Sequence, residues 1–158
     1  MGNDNVVQAS KVFGTLCSYL DDLKWHYEKN EESFSVKFNV RGKDLDISIM
    51  IRLNTDLQIV YLSSMLPLHV PEDRVLELAL AVNGLNTMIA GGGYFLIDCF
   101  DGELEFRMTS SYADSVVGKE LFGYMIASAF ENVDRYNDRF VFLIKEVVSL
   151  RDFFRLTD

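Results

Sequence analysis

Two stretches of this chain alternate apolar and polar residues so strictly that they leave little choice of backbone. Phe34, Val36, Phe38 and Val40 take turns with Ser35, Lys37 and Asn39, and Leu45, Ile47, Ile49 and Ile51 follow beyond Gly42-Lys43. A period of two marks a strand with one buried face. With Gly42-Lys43 as a two-residue type II′ turn, Val40 faces Leu45, Phe38 faces Ile47, Val36 faces Ile49 and Phe34 faces Ile51. Arg41 then closes the turn against Asp44. Every large apolar residue of the pair except Met50 lies on one side, so a slip of one residue would expose the whole set.

The second stretch runs from Phe95 to Met108 around Asp101-Gly102. That turn sets Cys99 against Leu104, Ile97 against Phe106 and Phe95 against Met108, with Asp98 opposite Glu105 and Leu96 opposite Arg107 on the other face. One side is core and the other mostly polar, as in an antiparallel sheet covered on one face only.

Helical periodicity frames these strands. Residues 4–23 form an amphipathic helix with Val6, Ala9, Val12, Phe13, Leu16, Cys17, Tyr19, Leu20 and Leu23 on one face and only Val7 misplaced. Trp25-His26-Tyr27 predicts a short strand, and after a turn at Asn54-Thr55-Asp56 a fourth strand runs from about Leu57 to Leu66. In that strand Leu57, Ile59 and Tyr61 continue the core face, which leaves Val60 and Leu62 pointing outward and requires a cover for them. Pro71 opens a second helix, with Val75, Leu78, Val82, Leu85 and Ile89 in its stripe and Gly91-Gly92-Gly93 at its end. A third helix carries Leu121, Phe122, Met125, Ile126, Ala129, Phe130 and Val133, and Asn137-Asp138 reads as a break or bend in it. The tail that follows, to about Phe154, is apolar around well over half its circumference. It is either sandwiched in the fold or used for association, with Phe142, Phe153 and Phe154 as candidate contacts.

The expected fold is therefore α+β: one antiparallel layer of about six strands with helices on one face, in the order α-β-β-β-β-α-β-β-α(-α). The 158 residues fit a single domain, with a core over about 4–136 and the apolar tail over about 137–158. The net charge of −9 opposes binding to nucleic acid or to an anionic membrane. Cys17 and Cys99 both fall on apolar faces and read as buried free thiols of a reducing compartment. The first residues lack the basic start and apolar run of a secretory signal, and no stretch nears the ~20 apolar residues of a membrane span. A cytoplasmic location is expected.

Few residues suggest chemistry. Asp98 and Glu105, facing across the hairpin, could share a proton or a cation, but Arg107 lies on the same face to neutralise them. Asn83 and Asn86 are the candidate polar anchors, Asn86 falling inside the apolar stripe of the second helix. A buried amide must find partners, either the backbone of the following hairpin or a ligand. His26 and His69 lie far apart, with no Cys or carboxylate at ligand spacing, so no metal site is expected. Gly91-Gly92-Gly93 stands between helix and strand, the reverse of a phosphate-binding order. No catalytic, cofactor-binding or metal-binding residue is expected.

The run His69-Val70-Pro71-Glu72-Asp73-Arg74, the pair Asn83-x-x-Asn86, the strand start Gly93-Tyr94-Phe95 and the segment Asp101-Gly102-Glu103-Leu104-Glu105-Phe106-Arg107 resemble the YbjN family over roughly residues 20–136. That family is described as bacterial sensory-transduction regulators and is similar in fold to type III secretion chaperones, small acidic dimers that carry stretches of a client protein. The resemblance implies a fold of that kind and transfers no catalytic residue. Beyond Asn137 the chain departs from the pattern. The first reading is thus a non-catalytic protein-interaction module, chaperone-like or regulatory, acting as a homodimer on a protein or peptide partner through Val60, Leu62, Phe142, Phe153 and Phe154. The second is a small-ligand sensor with its ligand between sheet and helix near Asn83 or Asn86. An enzyme using Asp98, Glu105 or a histidine is the third.

Overall fold

Strict alternation produces strands where it was expected. In the computed structural model, which describes residues 2–89 and 91–155, helix α1 (Gly2–Asp22) is followed by β1 (Glu28–Asn30), β2 (Ser35–Arg41), β3 (Asp46–Asn54) and β4 (Ile59–His69). A 3₁₀ turn (Glu72–Arg74) leads into α2 (Val75–Asn86); β5 (Tyr94–Ile97), β6 (Glu103–Ser111), α3 (Lys119–Ile144) and α4 (Leu150–Arg155) complete the chain. The strands form one open sheet in the order β1-β2-β3-β4-β6-β5, every neighbouring pair antiparallel. Helices α1 and α3 cover one face, and α2 packs along β5. The expected α+β class and element order hold, with the short first strand at Glu28–Asn30 rather than Trp25–Tyr27.

Both hairpins differ from the expected register by two residues. Val36 faces Ile51, Phe38 faces Ile49, Val40 faces Ile47 and Arg41 faces Asp46; Phe95 faces Phe106 and Ile97 faces Leu104. A slip of two preserves which side each residue faces, so burial cannot select between the two alignments. The loops do. Gly42 donates its N–H to the Leu45 carbonyl at 2.9 Å, and Lys43 donates its N–H to Asp134 Oδ1 on α3 at 2.7 Å. In the second hairpin Asp98 donates to the Glu103 carbonyl at 2.8 Å, and Gly102 to the Asp98 carbonyl at 2.9 Å. Gly102 has φ +71° and lies against the Val70 backbone, where a Cβ has no room. The loops 42–45 and 98–102, each tied to a distant element, thus replace the two-residue turns.

Parity decides β4. Four turn residues, 55–58, separate Asn54 from Ile59, its register partner, so Val60 faces Leu53 and Leu62 faces Ile51 on the core side. Val60 and Leu62 are fully buried, while Leu57 is exposed in the turn. The expectation that these two residues face outward is corrected: one extra turn residue inverts the strand.

Helix α3 continues unbroken through Asn137, which is buried in its core stripe beside Val133, Tyr136 and Phe140. Packing of that stripe outweighs the modest helix propensity of Asn. The helix stops at Lys145, and Ser149 starts α4: its Oγ lies 2.6 Å from Asp152 Oδ2 and accepts the Asp152 N–H at 3.2 Å, a capping box. The bond from the Ser149 hydroxyl holds the Asp152 carboxyl below its ordinary pKa. The turn folds the tail back, so that Phe140, Leu143 and Phe153 are all fully buried within their own chain. Phe153 stacks on Phe140 at 5.5 Å between centroids and on Phe154 at 5.4 Å. Phe153 is therefore core and not interface. Residues 156–158 of the expected tail lie outside the described ones.

Phe153→Ala should lower stability by about 3–5 kcal/mol, as for other buried aromatic truncations, measured by urea unfolding. The loss should not vary with protein concentration, whereas an interface role would make it do so.

Candidate functional site

Of the polar residues singled out in the sequence, Asn86 is the most fully engaged. At the last turn of α2 it donates through Nδ2 to the Phe95 carbonyl at 2.9 Å and accepts the Phe95 N–H on Oδ1 at 2.8 Å. Its amide occupies the place of a neighbouring strand and closes the outer edge of β5. The alternative of tying helix to hairpin is thus realised, and the amide is no longer available to a ligand. Asn83 lies on the exposed side of α2. An open cleft of about 590 Å³ is lined by Val6, Phe34, Arg52 and Asp56, and neither Asn83 nor Asn86 lines it.

Asp98 and Glu105 are not brought together. The two-residue slip sets Leu96 opposite Glu105 and leaves Asp98 at the loop, where Oδ1 accepts the Phe100 N–H at 2.8 Å. Glu105 is buried to 8% exposure and grips Arg107 through two bonds, 3.2 Å from Nε and 2.7 Å from Nη2. The pairing raises the Arg107 pKa. His26 and His69 are both exposed, and no group of three potential metal ligands occurs among the described residues. Cys99, expected in the core, is exposed because the slip places it in the loop; Cys17 is half-buried, and both thiols are free. Burial pushes the Cys17 thiol pKa up.

The exposed apolar surface lies elsewhere. Helix α2 buries Val75, Leu78, Ala81, Val82 and Leu85, yet its sequence is apolar on nearly every side. Leu76 and Leu80, one turn apart, remain 81% and 61% exposed. Asn83 and Thr87 extend their row, so the free stripe carries no charge from Leu76 onward. Glu77 is drawn aside by Arg74, whose Nη2 lies 2.6 Å from it. The same guanidinium donates to Glu146 Oε1 at 2.8 Å and to the Leu143 carbonyl at 2.7 Å, pinning the start of α2 to the end of α3. Phe142 is 42% exposed nearby in sequence to that contact, and Phe154 is half-buried against Phe153. A second surface is the face of the sheet that no helix among the described residues covers, where Met50, Met65 and Tyr94 are exposed around Tyr61, Arg52 and Arg107. Sequence reasoning noted Met50 only as an exception and assigned Leu76 and Leu80 to no face. The signal was there in the apolar run of α2, which no single buried stripe accounts for.

This geometry defines the class: an open antiparallel sheet backed by helices on one face, the fold of type III secretion chaperones. Among solved structures, the ExsC–ExsE complex is similar with a TM-score of 0.58 at 13% identity over 82% of this chain and 93% of that one. The HopA1–SchA chaperone–effector complex is similar with a TM-score of 0.54 at 13% identity over 79% and 91%. YbjN from E. coli is similar with a TM-score of 0.56 at 20% identity over 77% and 85%. The YbjN family profile, described as "Putative bacterial sensory transduction regulator", matches residues 14–142, and the chain belongs to the YbjN family. No curated protein matches it. No helix among the described residues is long and apolar enough to cross a membrane.

Two measurements check this geometry. Asn86→Ala should cost about 2–3 kcal/mol through two lost bonds to one backbone unit, with faster hydrogen exchange at Phe95 in particular. A thiol reagent should modify one cysteine rapidly, and Cys99→Ser should abolish that fast phase while Cys17→Ser leaves it unchanged.

Proposed function

We propose that this protein is a non-catalytic protein-binding module, chaperone-like or regulatory, formed of one domain, located in the cytoplasm and active as a homodimer joined through α2. The observation that carries the reading is the uncharged apolar stripe of Leu76 and Leu80 on a chain of net charge −9. Two copies of so acidic a chain repel one another, so they can meet closely only where no acid is trapped between them. Within α2 the free side meets that condition, because Glu77 is held by Arg74, while the exposed Glu72 and Asp73 stand one turn before Leu76 at the rim of the stripe. A twofold axis near Leu80 would lay the two stripes together, each copy covering the other's leucines.

The fold supports the wider reading. ExsC was crystallised with ExsE and SchA with HopA1, and the proposal extends that use of the fold to this chain. The residues that an acid–base mechanism would need are committed otherwise, Glu105 to Arg107 and Asp98 to its own loop. Regulation by such a chain would pass through proteins, since its charge repels nucleic-acid phosphates.

Light scattering of the purified chain at micromolar concentration should return twice the 18.1 kDa monomer mass. Leu80→Glu should bring a charge from each copy into the contact and yield a monomer with an unchanged circular dichroism spectrum. A wild-type monomer at every concentration up to about a hundred micromolar would overturn the dimer.

A further inference from the structure

We propose that α4 completes the contact between two copies of this chain: Leu76 of one copy packs beside Phe154 of the other, and the acidic pair Glu72-Asp73 of one meets Arg155 of the other, twice across the axis. Resting on the homodimer proposed above, the inference names the group that neutralises the acids at the rim of its stripe.

The position of α4 follows from three side chains. Helix α4 packs along α2, and Gly84 sets how closely, because a Cβ there would run into the Phe154 ring. Leu80 and Gly84 are one turn apart, so Phe154 borders the free stripe. The preceding Phe153 points into the core against Phe140. Successive helix positions turn by about 100°. With Phe153 inward and Phe154 toward α2, Arg155 falls on the outward side, where it is 64% exposed. The chain enters α4 from the start of α2, where Arg74 holds Glu146 and the Leu143 carbonyl, and reaches Gly84 only at Phe154. Arg155 therefore stands beside the C-terminal half of α2.

Charge along α2 is lopsided. Glu72 and Asp73 are exposed at its start and make no ion pair among the described residues, whereas Glu77 and Glu146 are both held by Arg74. Lys145, exposed at the end of α3, pairs with neither acid. From Leu78 to Ile97 the sequence holds no charged residue. Arg151 and Asp152 on α4 add no net charge, and the Asp152–Arg155 link, 3.5 Å between exposed groups, contributes little on its own. An antiparallel pairing about an axis near Leu80 brings residue 84 level with residue 76 of the other copy, and residue 88 level with residue 72. Leu76, 81% exposed, then meets Gly84 and Phe154, and each acidic start meets the end that carries Arg155. A parallel pairing would set the two acidic starts against each other. Helix α4 lies beyond residues 14–142 of the family profile, so this contact does not follow from family membership.

The test is a charge swap read by sedimentation velocity at low ionic strength, using Asp73→Lys and Arg155→Glu chains. Each variant alone should dimerise about tenfold more weakly than wild type, since like charges meet at both ends of the contact. For Asp73→Lys that loss runs against the simple effect of reducing a net charge of −9. An equimolar mixture of the two should recover wild-type affinity as a heterodimer, with the introduced lysine against the introduced glutamate at one end and the native pair at the other. Damage to the fold could not be rescued by mixing. Variants as tight as wild type, or a mixture no more dimeric than its components, would overturn the role of α4. If the wild type is still a dimer in that case, the homodimer reading stands and the contact lies elsewhere; a monomeric wild type would overturn both.

Discussion

Phe95 holds the middle of the molecule together. Its ring lies 5.0 Å from that of Phe106, 5.9 Å from Tyr136 and 5.2 Å from Phe140, so one side chain joins β5 to β6 and both to α3. Phe140 passes the contact to Phe153 on α4. The backbone of the same residue is gripped by Asn86, which adds α2 to the set. Edge-to-face rings of this kind contribute beyond the area they bury, and here every element of the C-terminal half meets in one cluster. The order in which α2, β5, β6, α3 and α4 pack follows from that single hub.

Because α1 and α3 cover one side of the sheet, the other side and the back of α2 are left to solvent. These two surfaces differ in kind. The stripe of Leu76 and Leu80 is apolar and uncharged, which suits contact between equal partners of like charge. The sheet face combines methionines and tyrosines with charges of both signs.

Alternation at residues 34–51 and 95–108 was enough to establish an antiparallel sheet and its covered face, and helical periodicity established the helices that flank it and their order. The family resemblance was equally legible in the sequence, because turn and cap residues such as Asp101-Gly102 and Asn86 are local requirements of the backbone. The period of two made the buried side of β2, β3, β5 and β6 unambiguous, since side chains on a strand alternate by geometry. The engagement of Asn86 with the following hairpin was one of two alternatives open in the sequence.

Tertiary structure decided the rest, and the reason is the same at each point. A slip of two residues leaves every face unchanged, so only Asp134 reaching Lys43 and Val70 reaching Gly102 could settle the hairpin registers. One added turn residue before Ile59 inverted β4 and buried Val60 and Leu62, because parity depends on loop length and loop length on what the loop touches. Phe153 became core once Ser149 turned the tail back over Phe140. Local pattern determines which residues must be covered; contacts between elements distant in the chain determine what covers them, and so which residues remain for a partner.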